Sequence, residues 1–145
     1  MNKKGFTLME VMTVVIIVGI LSSLALPQYR KILSKSRFTK AQVMAKAIHD
    51  ACERTIAEWG VDSYSDLPSN VQALNRIIPA EDAPTGAMLS TTSLLYHDFA
   101  YTLVGECKVN IDKNNGLYRA KFVYNGTEFT CTEVDAEACN VYGLD

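Results

Sequence analysis

The rhythm of apolar and polar positions changes three times along the chain. From Phe6 to Leu26, fifteen of twenty-one residues are apolar and Glu10 is the only charge. These residues are not confined to one stripe, so a helix built from them needs an apolar partner on every side. At about 1.5 Å per residue it spans roughly 30 Å, the thickness of a bilayer's hydrocarbon core. Pro27 follows, and proline usually kinks or ends a helix because it removes a backbone donor. Yet a helical rhythm resumes at once. Ala41, Met44, Ala45, Ile48, Cys52, Thr55, Ile56 and Trp59 recur at three- and four-residue steps, the mark of an amphipathic helix. Gly60 is a natural residue to end it. Together the two segments predict one kinked helix from Phe6 to about Trp59, roughly 80 Å long.

Between Gly60 and Asp98 the pattern breaks up around Pro68, Pro79, Pro84 and Gly86. This connecting stretch is long for a simple loop, and Val71–Ile78 reads as a short helix within it. Four runs with strand character follow: Phe99–Val104, Cys107–Ile111, Leu117–Tyr124 and Thr127–Thr132. Asn114-Asn115-Gly116 and Asn125-Gly126 separate the last three, and Asn-Gly between such runs signals a hairpin. Tyr118, Ala120, Phe122 and Tyr124 alternate with Arg119, Lys121 and Val123, which suits a sheet with one face packed on a helix. The expected class is α+β, a long kinked N-terminal helix on an antiparallel sheet of about four strands.

Composition becomes informative only when divided. The 145 residues allow one modest core. Their apolar share of 48% is ordinary for a soluble domain, but residues 28–145 hold a normal share by themselves and the excess lies in the N-terminal block. The net charge of −2 argues against a nucleic-acid wrapper. It conceals seven basic against three acidic residues over 28–58 and five against twelve over 59–145. One reading is a solvated helix face beside an acidic surface. The other is a basic collar that meets acidic surface on adjacent copies, or anionic lipid headgroups.

The apolar block fits a retained transmembrane helix better than a cleaved secretory signal. Such a signal has an apolar core of about 7–15 residues before a small-residue cut site, and at Ala25-Leu26-Pro27 a proline would sit at the cut. Glu10 is the anomaly, since a carboxylate within a span costs on the order of 2.5–3.5 kcal/mol on insertion scales. Either it reaches the headgroups from the first helical turn, or it pairs with a positive charge supplied by a partner.

Lys3-Lys4-Gly5-Phe6-Thr7-Leu8-x-Glu10 runs directly into this helix, and Ala25-Leu26-Pro27-x-Tyr29 stands at its far end. Over residues 3 to about 40 the sequence resembles the type IV pilins and their class III signal. The resemblance implies that a prepilin peptidase cuts between Gly5 and Phe6 and methylates the new amino group of Phe6. It also implies that Glu10 attracts the Phe6 amino group of a neighbouring subunit as a filament grows. The implied organisation is a leader at 1–5, a transmembrane and assembly helix at 6–27, and a globular head at 28–145. The head divides into a helix half (28–59), a connecting loop (60–98), and a sheet with a C-terminal loop (99–145). The implied partners are further copies of the chain, the peptidase, the pilus or secretion assembly machinery and the inner membrane. The precursor would sit in that membrane and the mature subunit in an extracellular pilus. Five basic residues from Arg30 to Lys40 outnumber Lys3 and Lys4 across the span, which by the positive-inside rule would keep the head in the cytoplasm. The cysteines and the resemblance both favour export instead.

Cys52, Cys107, Cys131 and Cys139 allow three pairings. None forms a C-x-x-C pair, so a zinc ribbon or thioredoxin-like motif is not indicated, and an exported domain defaults to two disulfides. The favoured pairing is Cys131–Cys139, closing the C-terminal loop much as pilins close theirs, with Cys52–Cys107 stapling helix to sheet. His49 reads as a structural residue beside a disulfide. Asp112–Gly116 lacks the glycine position and closing Glu of a calcium loop. Asn125-Gly126-Thr127 reads as a hairpin before it reads as a glycosylation site. With no catalytic constellation, no cofactor and no metal site indicated, the chain reads as a structural pilin rather than an enzyme. The nearest alternative is a pseudopilin of a type II secretion system. A DNA-binding competence pilin lacks an obvious phosphate-binding patch, and a membrane-anchored binding module or enzyme is the reading from another class.

Overall fold

In the computed structural model, which describes residues 7–79 and 83–144, the helical rhythm holds without a break. Helix α1 runs from Leu8 to Trp59 with Pro27 inside it. The described residues form two compact units, one ending at Leu33 and the other beginning at Ser34. In the first unit, Thr13 Oγ1 donates to Met9 O at 2.9 Å and Ser23 Oγ to Ile20 O at 2.7 Å. These hydroxyls thus spend their polarity on the helix's own carbonyls.

In the second unit α1 buries Phe38, Ala41, Ala45, Ile48, His49, Ala51 and Cys52. Met44 and Ile56 pack at the margin of this core. Trp59, expected on the same stripe, is 52% exposed, so the packed face has ended before the helix does. A short 3-10 turn occupies Tyr64–Asp66. The expected helix at Val71–Ile78 is confined to Leu74–Ile77 (α2), whose Leu74 and Ile77 enter the core.

The sheet has six antiparallel strands in sequence order, not about four. Strand β3 (Phe99–Val104) matches its expected run, β5 (Ala120–Tyr124) lies within its own and ends at the same residue, and β4 (Lys108–Lys113) and β6 (Phe129–Glu133) lie one or two residues along from theirs. The additional strands, β1 (Met88–Leu89) and β2 (Leu94–Tyr96), arise in the segment expected to be loop. At two and three residues they are too short to show an alternation. They are recruited by pairing with β3, in the register Leu94↔Tyr101.

The inner face of the sheet carries Tyr101, Val109, Ile111, Ala120 and Phe122, all at most 1% exposed. Phe38 of α1 sits among their aromatic neighbours, with ring centroids 4.3 Å from Phe122 and 5.0 Å from Tyr142. Ala41 and Ala45, one and two turns further on, have no bulk to hold the sheet away. A last short helix, α3 (Ala138–Tyr142), lies in the region expected as C-terminal loop and brings Tyr142 to this core.

Candidate assembly site

From Leu8 to Leu26 every large apolar side chain is half or more exposed. This is the one helix among the described residues long and apolar enough to cross a membrane. Removing a Val, Leu or Ile side chain from water is worth roughly 1.5–3 kcal/mol. Summed over such a stretch, burial outweighs the cost of one carboxylate several times over. The segment is therefore stable in a membrane or against copies of itself, and unstable alone in water.

Glu10 is fixed within the first turn of α1. Its Oε2 accepts from Thr7 N and Thr7 Oγ1, each at 3.3 Å, while its own N–H donates to Thr7 Oγ1 at 3.3 Å. Thr7-Leu8-Met9-Glu10 is thus a capping box, in which two side chains satisfy helix-start donors reciprocally. The carboxylate is also placed where the positive end of the helix dipole favours it. Among the described residues no cation lies within ion-pairing distance of it. Gly5 and Phe6, the expected cleavage and methylation positions, lie outside the described residues. The T-x-x-E pattern was present in the sequence, and the reading of Glu10 as a membrane anomaly passed over it.

The four cysteines are joined as Cys52–Cys107 and Cys131–Cys139, with Cα atoms 5.8 Å apart in each. The first ties α1 to the turn between β3 and β4. His49 reinforces it: Nδ1 donates to Cys107 O at 2.8 Å, and Nε2 lies 3.2 Å from Glu53 Oε1. The His49 ring packs edge-on against Tyr124 and leaves no space at Gly126, where a Cβ would sit 2.7 Å from Nε2. His49 is thus a fastening between helix, turn and hairpin, and among the described residues it belongs to no group of three or more potential metal ligands.

The second disulfide holds α3 to β6, and an ion pair holds the segment between them. Arg119 N donates to Asp135 Oδ2 at 2.7 Å, and the guanidinium contacts the same carboxylate through Nε and Nη2 at 2.9–3.3 Å. Val134 N and Asp135 N donate back to Arg119 O. The side-chain and then the backbone hydrogen bonds from Arg119 hold the Asp135 carboxyl below the usual carboxylate range. Lys113, 3% exposed, sends its ammonium to the carbonyls of Leu117 and Tyr118, and burial pulls its pKa down. Neither Arg119–Asp135 nor the Lys113 seat was legible in the sequence, because partners so joined have no fixed spacing.

Asp112–Gly116 is the β4 end and the turn after it. Among the described residues no group of three or more His, Cys, Asp or Glu is placed to hold a metal ion. Residues 1–26 match the prokaryotic N-terminal methylation motif. Among curated relatives, a fimbrial protein of Pseudomonas aeruginosa is 39% identical over 70 residues, 48% of this chain and 46% of the relative. The type IV major pilin protein PilA of Myxococcus xanthus is 37% identical over 70 residues, 48% of this chain and 31% of the relative. The type IV major alpha-pilin of Moraxella bovis is 53% identical over 67 residues, 46% and 42% of the two chains. The matched part is less than half the length of each of these relatives. No solved structure matches the chain.

Proposed function

We propose that the chain is a type IV pilin, a structural subunit of a pilus polymerised through its N-terminal helix into an extracellular fibre. The observation that carries this reading is the wholly exposed apolar surface from Leu8 to Leu26 with a single carboxylate at its start. Such a surface is satisfied twice in the life of a pilin, first by the membrane around the precursor and then by the same helix of neighbouring copies. On this reading a prepilin peptidase cuts between Gly5 and Phe6 and methylates Phe6. Each step of growth then brings a Phe6 amino group to the Glu10 carboxylate of an adjacent subunit.

The capping box supports the second half of that sequence. It fixes the Glu10 carboxylate at the helix start through Oε2, so the charge is pre-oriented before the partner arrives and less side-chain freedom is lost on docking. The disulfides and the pilin names of the relatives favour a pilus over the pseudopilus of a type II secretion system, whose subunits share the N-terminal motif. Adhesion, motility and DNA uptake are uses to which such a fibre can be put.

The test is a Glu10→Ala chain expressed in place of the natural one. We expect it to reach the membrane and lose its leader, while surface fibres seen by electron microscopy fall by an order of magnitude or more. Abundant fibres built from Glu10→Ala subunits would remove the pairing role. Fibres absent from natural cells and found only on overexpression would favour the pseudopilus.

A further inference from the structure

Two Asn-Gly steps lie in the head, and the structure treats them oppositely. Asn125-Gly126 turns β5 into β6. There the Asn125 Oδ1 accepts from Thr127 N at 3.0 Å, Thr127 Oγ1 at 2.9 Å and Glu128 N at 2.9 Å. The Gly126 carbonyl accepts from Tyr124 OH at 2.7 Å, and His49 closes the space beside its Cα. Side-chain amide and following backbone are both held.

Asn115-Gly116 lies in the connection between β4 and β5. Asn115 and Gly116 are both exposed, and no atom lies within 4 Å of the place a Gly116 Cβ would take. The side-chain hydrogen bonds of this connection run from Lys113 to the Leu117 and Tyr118 carbonyls, and none among the described residues engages the Asn115 carboxamide. Among the described residues no backbone hydrogen bond engages the nitrogen of Gly116 or of Gly126, so the two steps differ in the hold on the asparagine side chain and in the crowding of the glycine.

We propose that Asn115 is a site of spontaneous covalent modification, converting to aspartate and isoaspartate through a cyclic imide with Gly116, while Asn125 is protected by its turn. The Gly116 backbone nitrogen bonds to Asn115 Cγ, and the side-chain nitrogen leaves as ammonia, carrying away the proton the backbone nitrogen gives up. Water then opens the imide at either carbonyl. Opening at Cγ yields aspartate, and opening at the backbone carbonyl yields isoaspartate. The net exchange is an amide for a water-derived hydroxyl oxygen, with no oxidant or reductant. The step requires Cγ and the next backbone nitrogen to rotate into near-attack distance. An exposed residue followed by glycine can do so, whereas Asn125 must first break its turn in a local opening. The product places a new negative charge, and for isoaspartate an extra backbone carbon, between Lys113 and the carbonyls that seat its ammonium. The inference rests on the head alone and stands whether or not the chain enters a fibre.

The experiment uses the full, disulfide-bonded chain purified from cells and aged in mildly alkaline buffer. Samples are then denatured, reduced and digested with trypsin. Cleavage after Lys113 and Arg119 isolates Asn114–Arg119, while Asn125 falls in the separate peptide that starts at Phe122. We expect the mass gain of amide-to-acid conversion to accumulate in the first peptide on the order of tenfold or more faster than in the second. In chain aged after reduction and unfolding, the two rates should converge. Equal rates in the folded chain, or a faster gain at Asn125, would overturn the proposal. So would a gain in the first peptide that persists in an Asn115→Gln chain, since it would then arise at Asn114.

Discussion

Gly116 and Gly126 both adopt a left-handed backbone, at φ +77° and +98°, but only Gly126 is crowded. The two positions separate backbone strain from packing. Gly116→Ala should cost about 1–2 kcal/mol, the price of a left-handed conformation for an L residue. Gly126→Ala meets the same strain and also drives a methyl into His49, adding about 1–3 kcal/mol of overpacking. Thermal unfolding of the two variants should rank them in that order, and equal losses would mean that His49 moves aside freely. Tyr101 offers the converse test. It is completely buried, and its hydroxyl has no hydrogen-bond partner among the described residues. Burial also raises its pKa. Because removing an unpaired buried hydroxyl removes a desolvation penalty, Tyr101→Phe should leave stability unchanged or raise it by up to about 1 kcal/mol. A clear loss would show that the hydroxyl is satisfied by a water.

At the scale of elements, the staples and the ion pair divide the work of holding the head. Cys52–Cys107 closes a sequence separation of 55 and Cys131–Cys139 one of 8. By loop entropy these correspond to about 4 and about 2.6 kcal/mol, so replacing the first pair with alanine should lower the unfolding temperature more than replacing the second. The segment between β6 and α3 should also respond to acid. Asp135 is depressed in the folded state, chiefly by Arg119. Its contribution is therefore present above the ordinary carboxylate pKa and is lost as pH falls through the lower folded value. In detergent-solubilised chain, exchange of the Val134 and Asp135 amides, corrected for its intrinsic pH dependence, should quicken below about pH 4. An Asp135→Asn chain should show no such step. Elements with a repeated signal were legible beforehand: the α1 stripe, the alternation of β5 and the Asn-Gly turns. Strands β1 and β2 were not, since their residues are extended only because β3 offers them an edge. Helix α3 was not, because its start at Glu137 is left-handed and carries no capping residue that a sequence would reveal.

For the whole molecule, the sequence was most informative where its physics was least satisfied. An apolar helix with nothing to cover it, begun by a lone carboxylate, demands partners outside the chain. That demand is visible in the sequence, whereas the packing of Phe38 against Phe122 and Tyr142 depends on residues about 80 and 100 positions away and is not. Residues 28–58 are net basic and residues 59–145 net acidic, and fibres in which that contrast acts between subunits should loosen as ionic strength rises. The central claim is that the chain is matured at Gly5 and built into fibres. Mass spectrometry of fibres sheared from the surface of cells that produce it tests this most directly. The expected result is this chain as a fibre component, beginning at an N-methylated Phe6. A fibre fraction lacking the chain, or containing it with Met1 still in place, would contradict the account.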